Sequence, residues 1–156
     1  MTPAIRRLEQ AGVAFAVHEY AHDPETPAYG QEAVEALGLS PDAVFKTLLA
    51  RLDGQRLAVA IVPVSASLDL KALARAAGAK KAAMAEAADA QRATGYVVGG
   101  ISPLGQKQRL ATFLDASAEA LERLHVSGGR RGLEIALAPA DLQRLTGARL
   151  AAIARR

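Results

Sequence analysis

Apolar positions along the chain switch repeatedly between a period near two and a period near 3.6, so the pattern predicts strands and helices in alternation. Thr2-Pro3 reads as an N-cap followed by proline at the first helical position; Ile5 and Leu8 give that helix one apolar face and Gly12 ends it. Val13 to Tyr20 is rich in β-branched and aromatic residues and predicts a strand. Asp23 to Gly30 holds two prolines and a glycine and predicts a loop. Gln31 to Leu37 predicts a short helix with Ala33, Val34 and Leu37 on one side, stopped by Gly38. Val44 to Leu52 and Arg56 to Val64 are apolar runs flanking Asp53-Gly54, a strong hairpin signal. Leu70, Leu73, Ala74 and Ala77 follow helical spacing and Gly78 closes the helix. Ala85 to Thr94 predicts another helix ending at Gly95, and Tyr96 onward a short strand that breaks into a glycine-rich loop reaching Gly105. Arg109 to Leu114, Leu124 to Ser127 and Leu133 to Leu137 predict strands, Pro139 to Leu145 a helix closed at Gly147, and Arg149 to Ala154 a last strand or turn. Hairpins with interspersed helices point to a mixed α/β (α+β) fold rather than a regular βαβ array.

Composition adds bounds. With 156 residues, the whole chain, residues 1–156, fits one domain. Apolar residues make up 51%, enough for a core, while aromatics make up only 4%, which argues against a binder that stacks bases on aromatic platforms. The formal charge of +3 is mildly basic and suits an anionic partner without requiring one. Cysteine is absent, which removes disulfides, a cysteine nucleophile and cysteine-bound zinc. The start leads into a charged helix, and the longest apolar run, Leu57 to Val64, is far shorter than the roughly 20 residues a membrane helix needs. The expectation is a soluble, cytoplasmic protein with no membrane partner.

Two loud motifs fail on physical grounds. His18-Glu19-Tyr20-Ala21-His22 matches the zinc-protease pattern, but that chemistry needs a helix to bring both histidines to one metal. In a strand, residues four apart are separated by about 13 Å, and Pro24 follows at once. The expectation is surface histidines and no metal site. Gly100 and Gly105 have the spacing of a triphosphate-binding loop, but Gln106 stands where lysine is required and Pro103 removes an amide. No serine sits in a nucleophile elbow. Chemistry would have to rest on positioning and electrostatics.

Quieter candidates remain. Lys46 interrupts the row Val44, Lys46, Leu48 on one face of its strand. It is either an edge-strand lysine that blocks aggregation or a cation placed to orient an anion or developing oxyanion, and the residues alone leave both readings open. Gly99-Gly100-Ile101-Ser102-Pro103 is a candidate for backbone-amide recognition or a plain turn; Ser127-Gly128-Gly129-Arg130-Arg131-Gly132 is a second such loop. Lys71 and Arg75 share a helical face, with Lys80 shortly after; with Lys107, Arg130 and Arg131 they are either contacts for the phosphates of a nucleic acid or scattered solvated charges.

Taken together, Thr2-Pro3-Ala4, His18-x-Tyr20, Phe45-Lys46-Thr47-Leu48, the run Thr94-Gly95-Tyr96-x-x-Gly99-Gly100-Ile101-Ser102-Pro103-Leu104-Gly105-Gln106-Lys107, and Val126 to Leu133 resemble the YbaK family of aminoacyl-tRNA editing proteins, above all its Cys-tRNA(Pro) deacylase branch. The resemblance implies a curved, barrel-like, mostly antiparallel sheet with surrounding helices. It implies that Lys46 is the essential lysine, aided by amides at Gly100 and Ile101, and that Tyr20, Tyr29, Thr47, Ser102, Ser127 and Gly129 contact substrate. It implies a hydrolase that clears mischarged Cys-tRNA(Pro) with the help of the substrate's own thiol, without cofactor. Its partners would be the acceptor end of tRNA and, as a further candidate, prolyl-tRNA synthetase. An Ala-tRNA(Pro) deacylase and a non-catalytic tRNA- or synthetase-binding module stand as alternatives.

Overall fold

A computed structural model describes residues 1–26 and 29–156; Pro27 and Ala28, in the expected Asp23 to Gly30 loop, lie outside the described residues. Helix α1 (Pro3–Ala11) starts as expected, the Thr2 side chain accepting from the Ile5 amide and Gly12 closing it in the left-handed conformation. Strand β1 (Phe15–Glu19) is followed by α2 (Tyr29–Leu37), which begins two residues earlier than its apolar spacing suggests. Strands β2 (Phe45–Leu52) and β3 (Arg56–Pro63) form the expected antiparallel hairpin. Its turn needs positive φ twice, and Asp53 (52°) and Gly54 (67°) supply it. Then come β4 (Ser67–Leu68), α3 (Leu70–Ala77), β5 (Ala82–Met84), α4 (Ala87–Thr94), β6 (Ala111–Asp115), β7 (Leu124–Ser127), β8 (Leu133–Leu137), α5 (Pro139–Thr146), β9 (Arg149–Ala151) and β10 (Ala154–Arg155).

The strands form a five-stranded mixed sheet ordered β5-β2-β3-β6-β9, a three-stranded sheet β1-β8-β7 and a small pair β10-β4. Among the described residues, five of the seven strand pairings are antiparallel; β3 with β6 and β6 with β9 are parallel. No closed barrel forms among the described strands, although a parallel bridge between Val44 and His125 brings the two larger sheets together.

Strand β3 is buried on both faces from Ala58 to Pro63, which is why Leu57 to Val64 reads as an unbroken apolar run rather than an alternation. Phe45, Leu49, Val59 and Ile61 pack against Leu124, Val126, Ile135 and Leu137 of the three-stranded sheet, with Leu8 of α1 and Leu142 of α5 closing that core. Ala50, Leu52, Ala58, Ala60 and Val62 face the other way, onto Leu73 of α3, Phe113 and Ile153. Buried Asp115 holds the C-terminal segment to this layer, one carboxylate oxygen accepting from the Ile153 and Ala154 amides at 3.0 Å each.

Candidate active site

A cleft of about 580 Å³ opens where the start of β2 meets α2, the loop before α4 and the end of β7. The register sets what enters it. Lys46 lies opposite Val62 and Thr47 opposite Ile61, so a cation and a hydroxyl stand among apolar partners at one end of the β2–β3 ladder. On the three-stranded sheet Ser127 and Glu134 are cross-strand partners, and both line the cleft.

Lys46 is half-buried, and burial lowers its pKa below the usual lysine value. Glu134 is 7% exposed, and burial pushes its carboxyl up to about 8. No ion pair joins Lys46 to Glu134 among the described residues. Tyr20 is raised as well, first by burial and then by the charge of Glu134. Among the described residues Glu134 Oε2 and Thr47 Oγ1, both on the cleft lining, are buried without a hydrogen-bond partner, which is unusual for buried polar atoms. Ser127 Oγ accepts from the Gly129 amide at 3.2 Å.

A clamp fixes one wall. The Arg131 guanidinium lies 4.0 Å from the Tyr29 ring centre, and its Nη2 donates to the Tyr29 hydroxyl at 2.5 Å and to the Val98 carbonyl at 3.2 Å. Gly99 makes room for it: a Cβ there would fall 2.5 Å from Arg131 Nε and 2.9 Å from the Tyr29 ring. Gly100 is pressed on backbone, since its Cβ would meet Arg130 Cα at 2.6 Å, so the two glycine-rich loops touch main chain to main chain.

The structure brings Lys46, Tyr20, Tyr29, Thr47, Ile101 and Ser127 to the same cleft. Gly100, Ser102 and Gly129 stand behind it. The Gly100 amide donates to the Val97 carbonyl at 2.9 Å, inside the turn. Ser102 is fully buried, and its Oγ accepts from the Leu104 amide at 3.2 Å. Gly129 backs onto Tyr96 and Thr2. The expected short strand at Tyr96 is instead a turn folded on itself, the Tyr96 hydroxyl donating to the Leu104 carbonyl at 2.6 Å. Among the six basic candidates, Lys71, Arg75 and Lys80 share a separate concavity, Lys107 is exposed beside Gly95, Arg130 pairs with Glu19 at 3.1 Å, and Arg131 belongs to the Tyr29 clamp. His18 lies on β1, and His22 lies beyond the strand with Nδ1 2.8 Å from Glu32 Oε1, so the two do not face a common point as they would on a helix. Among the described residues, no group of three or more His, Asp or Glu side chains could hold a metal ion.

Sequence reasoning missed Glu134. The signal was present: a carboxylate interrupts the apolar run Leu133-Glu134-Ile135-Ala136-Leu137, just as Lys46 interrupts its own strand.

The model of the aminoacyl-tRNA editing domain matches residues 23–145, which include Lys46, both glycine-rich loops and Glu134. The chain belongs to the aminoacyl-tRNA editing domain family. It is therefore an editing hydrolase, an aminoacyl-tRNA deacylase, and its substrate carries a tRNA. A relative from Enterococcus faecalis, provisionally named Cys-tRNA(Pro)/Cys-tRNA(Cys) deacylase EbsC, is 37% identical over 152 residues, covering 97% of this chain and 92% of the relative. A crystal structure described provisionally as a trans-editing enzyme for prolyl tRNA synthetase superposes with a TM-score of 0.85 at 25% identity, covering 100% of this chain and 99% of the other. The crystal structure of hypothetical protein APE2540 shares the fold, with a TM-score of 0.87 at 21% identity over 99% of this chain and 100% of the other. Among the described residues no helix is long and apolar enough to cross a membrane.

Proposed function

We propose that this editing enzyme acts in trans in the cytoplasm on mischarged Cys-tRNA(Pro), and that the cysteine thiol of the substrate performs the attack. The observation that carries the reading is the cleft's inventory. It offers a half-buried amine at Lys46, a buried carboxyl at Glu134 and hydroxyls at Thr47 and Ser127, with no base bonded to either hydroxyl among the described residues. Such a cleft positions and polarises but does not activate a serine or threonine nucleophile. A cysteinyl ester brings its own nucleophile.

In the proposed step the substrate sulfur bonds to the carbonyl carbon as the bond from that carbon to the ribose oxygen breaks. The thiol proton passes to the departing ribose oxygen, which leaves as the free hydroxyl, and water then opens the cyclic thioester to free cysteine. Lys46 holds the ester end and stabilises oxygen as negative charge develops on it, while the Tyr29 wall presses sulfur toward carbon. The name carried by the 37%-identical relative supports cysteine as the residue removed, and the likeness to a trans-editing enzyme makes prolyl-tRNA synthetase the proposed partner that supplies the substrate.

The test is the thiol itself. Cys-tRNA(Pro) and the same tRNA carrying S-methylcysteine are compared in single-turnover deacylation. The expected result is a loss of about 100-fold or more on methylation, in keeping with removal of an intramolecular nucleophile. Equal rates would overturn the thiol step and leave a water-attack hydrolase in its place.

A further inference from the structure

A second concavity, about 810 Å³, lies between α3, the start of β5 and β10. Lys71, Arg75, Lys80, Lys81 and Arg155 line it, and all five are exposed. None of them forms an ion pair among the described residues, whereas Arg51, Arg92, Arg130, Arg144 and Arg156 are each paired with a carboxylate. Two carboxylates stand at this face against the five cations: Asp69 accepts from the Ala72 amide at the start of α3 and feels the charges of Arg155 and Arg75, and Asp53 accepts from the Lys80 and Lys81 amides. Five cations gathered in one hollow repel one another, and an anionic partner would relieve that repulsion.

The hollow and the Lys46 cleft border the same strand. Ala82 lines the hollow and Met84 lines the Lys46 cleft, and both belong to β5. Met84 pairs with Ala50 and Ala82 with Leu52, six residues along β2 from Lys46, so about 20 Å of strand separates the hollow from the lysine, a span of several nucleotides.

We propose that this basic hollow is the docking surface for the phosphate backbone of the tRNA whose aminoacyl end enters the Lys46 cleft. The proposal rests on the editing reading above and names the surface that the substrate's nucleic-acid part uses. It assigns that role to Lys71, Arg75, Lys80, Lys81 and Arg155, and removes it from Arg130 and Arg131, which are occupied by Glu19 and Tyr29.

Two readouts separate this proposal from the cleft chemistry. Binding of uncharged tRNA(Pro) to the full chain is followed by fluorescence anisotropy across a range of KCl concentrations, and hydrolysis of 3′-cysteinyl-adenosine, which carries no phosphate, is followed in parallel. The double variant Lys71→Glu/Arg75→Glu is expected to weaken tRNA binding by about 10-fold or more and to flatten the slope of log affinity against log salt by about 1.5, two contacts' worth. Lys71→Gln/Arg75→Gln is expected to move both in the same direction by less. Hydrolysis of the nucleoside ester stays at the wild-type rate, and the thermal midpoint, measured alongside, is unchanged because both side chains are exposed. Wild-type affinity and slope in both variants would overturn the proposal, as would a loss of tRNA binding produced by Arg130→Glu instead. A parallel fall in nucleoside-ester hydrolysis would also overturn it, because the variants would then be acting on the cleft. If wild-type protein binds tRNA through this surface yet leaves cysteinyl-adenosine intact, the docking surface stands and the cysteine reading falls.

Discussion

Lys46→Ala is expected to lower kcat/KM for deacylation by about 100-fold or more, the scale of losing one preorganised cation aimed at developing negative charge. The lysine sits on a strand whose backbone is paired on the register Lys46 to Val62, so the substitution removes the amine without moving the scaffold. Its pKa is lowered by burial, and no ion pair joins it to a carboxylate among the described residues. Lys46→Met, which keeps most of the apolar stem, should lose as much activity as the alanine variant while unfolding at the wild-type temperature. A methionine variant with wild-type turnover would show that the lysine only fills space.

Glu134→Gln is expected to remove a large alkaline loss of stability. The carboxyl moves from its ordinary 4.5 to about 8 because burial disfavours the charged form. The folded state therefore holds the proton more tightly than the unfolded chain. Relative stability is fully present below the unfolded value and declines as pH rises through the folded one. By pH 9 the wild type should have lost on the order of 4 kcal/mol relative to acidic pH from this group. Urea denaturation at pH 6 and pH 9 measures it: the wild-type midpoint should fall steeply between them and the glutamine variant's should fall much less. Equal declines would mean that Glu134 is not protonated in the folded protein at neutral pH.

Local rules made much of the fold legible. Asp53-Gly54 announced its hairpin because few other residues tolerate two successive positive φ angles. Leu70 to Ala77 announced its helix through spacing, and Gly78 through its left-handed cap. Lys46 was legible because a cation in an apolar row is conspicuous. What escaped depended on pairing and contact. Ala82–Met84 has little intrinsic strand preference and is a strand because β2 offers it an edge. Tyr96 looked like strand by composition, but its hydroxyl reaches the Leu104 carbonyl and curls the loop back. Ser102 carried the right residue type for a site, yet the fold turned it inward to satisfy the Leu104 amide. Glu134 escaped because its partner in the cleft wall, Ser127, lies on a neighbouring strand and is visible only once β7 and β8 are in register.

The most direct measurement is deacylation of Cys-tRNA(Pro), Ala-tRNA(Pro) and Pro-tRNA(Pro) by the purified protein in parallel, with chelator present. Rapid loss of cysteine, with alanine and proline retained, is the predicted result. Release of alanine in preference to cysteine would contradict it: the fold and Lys46 would keep their place, but the cleft would be reading a small side chain, and the thiol would have no part in the reaction.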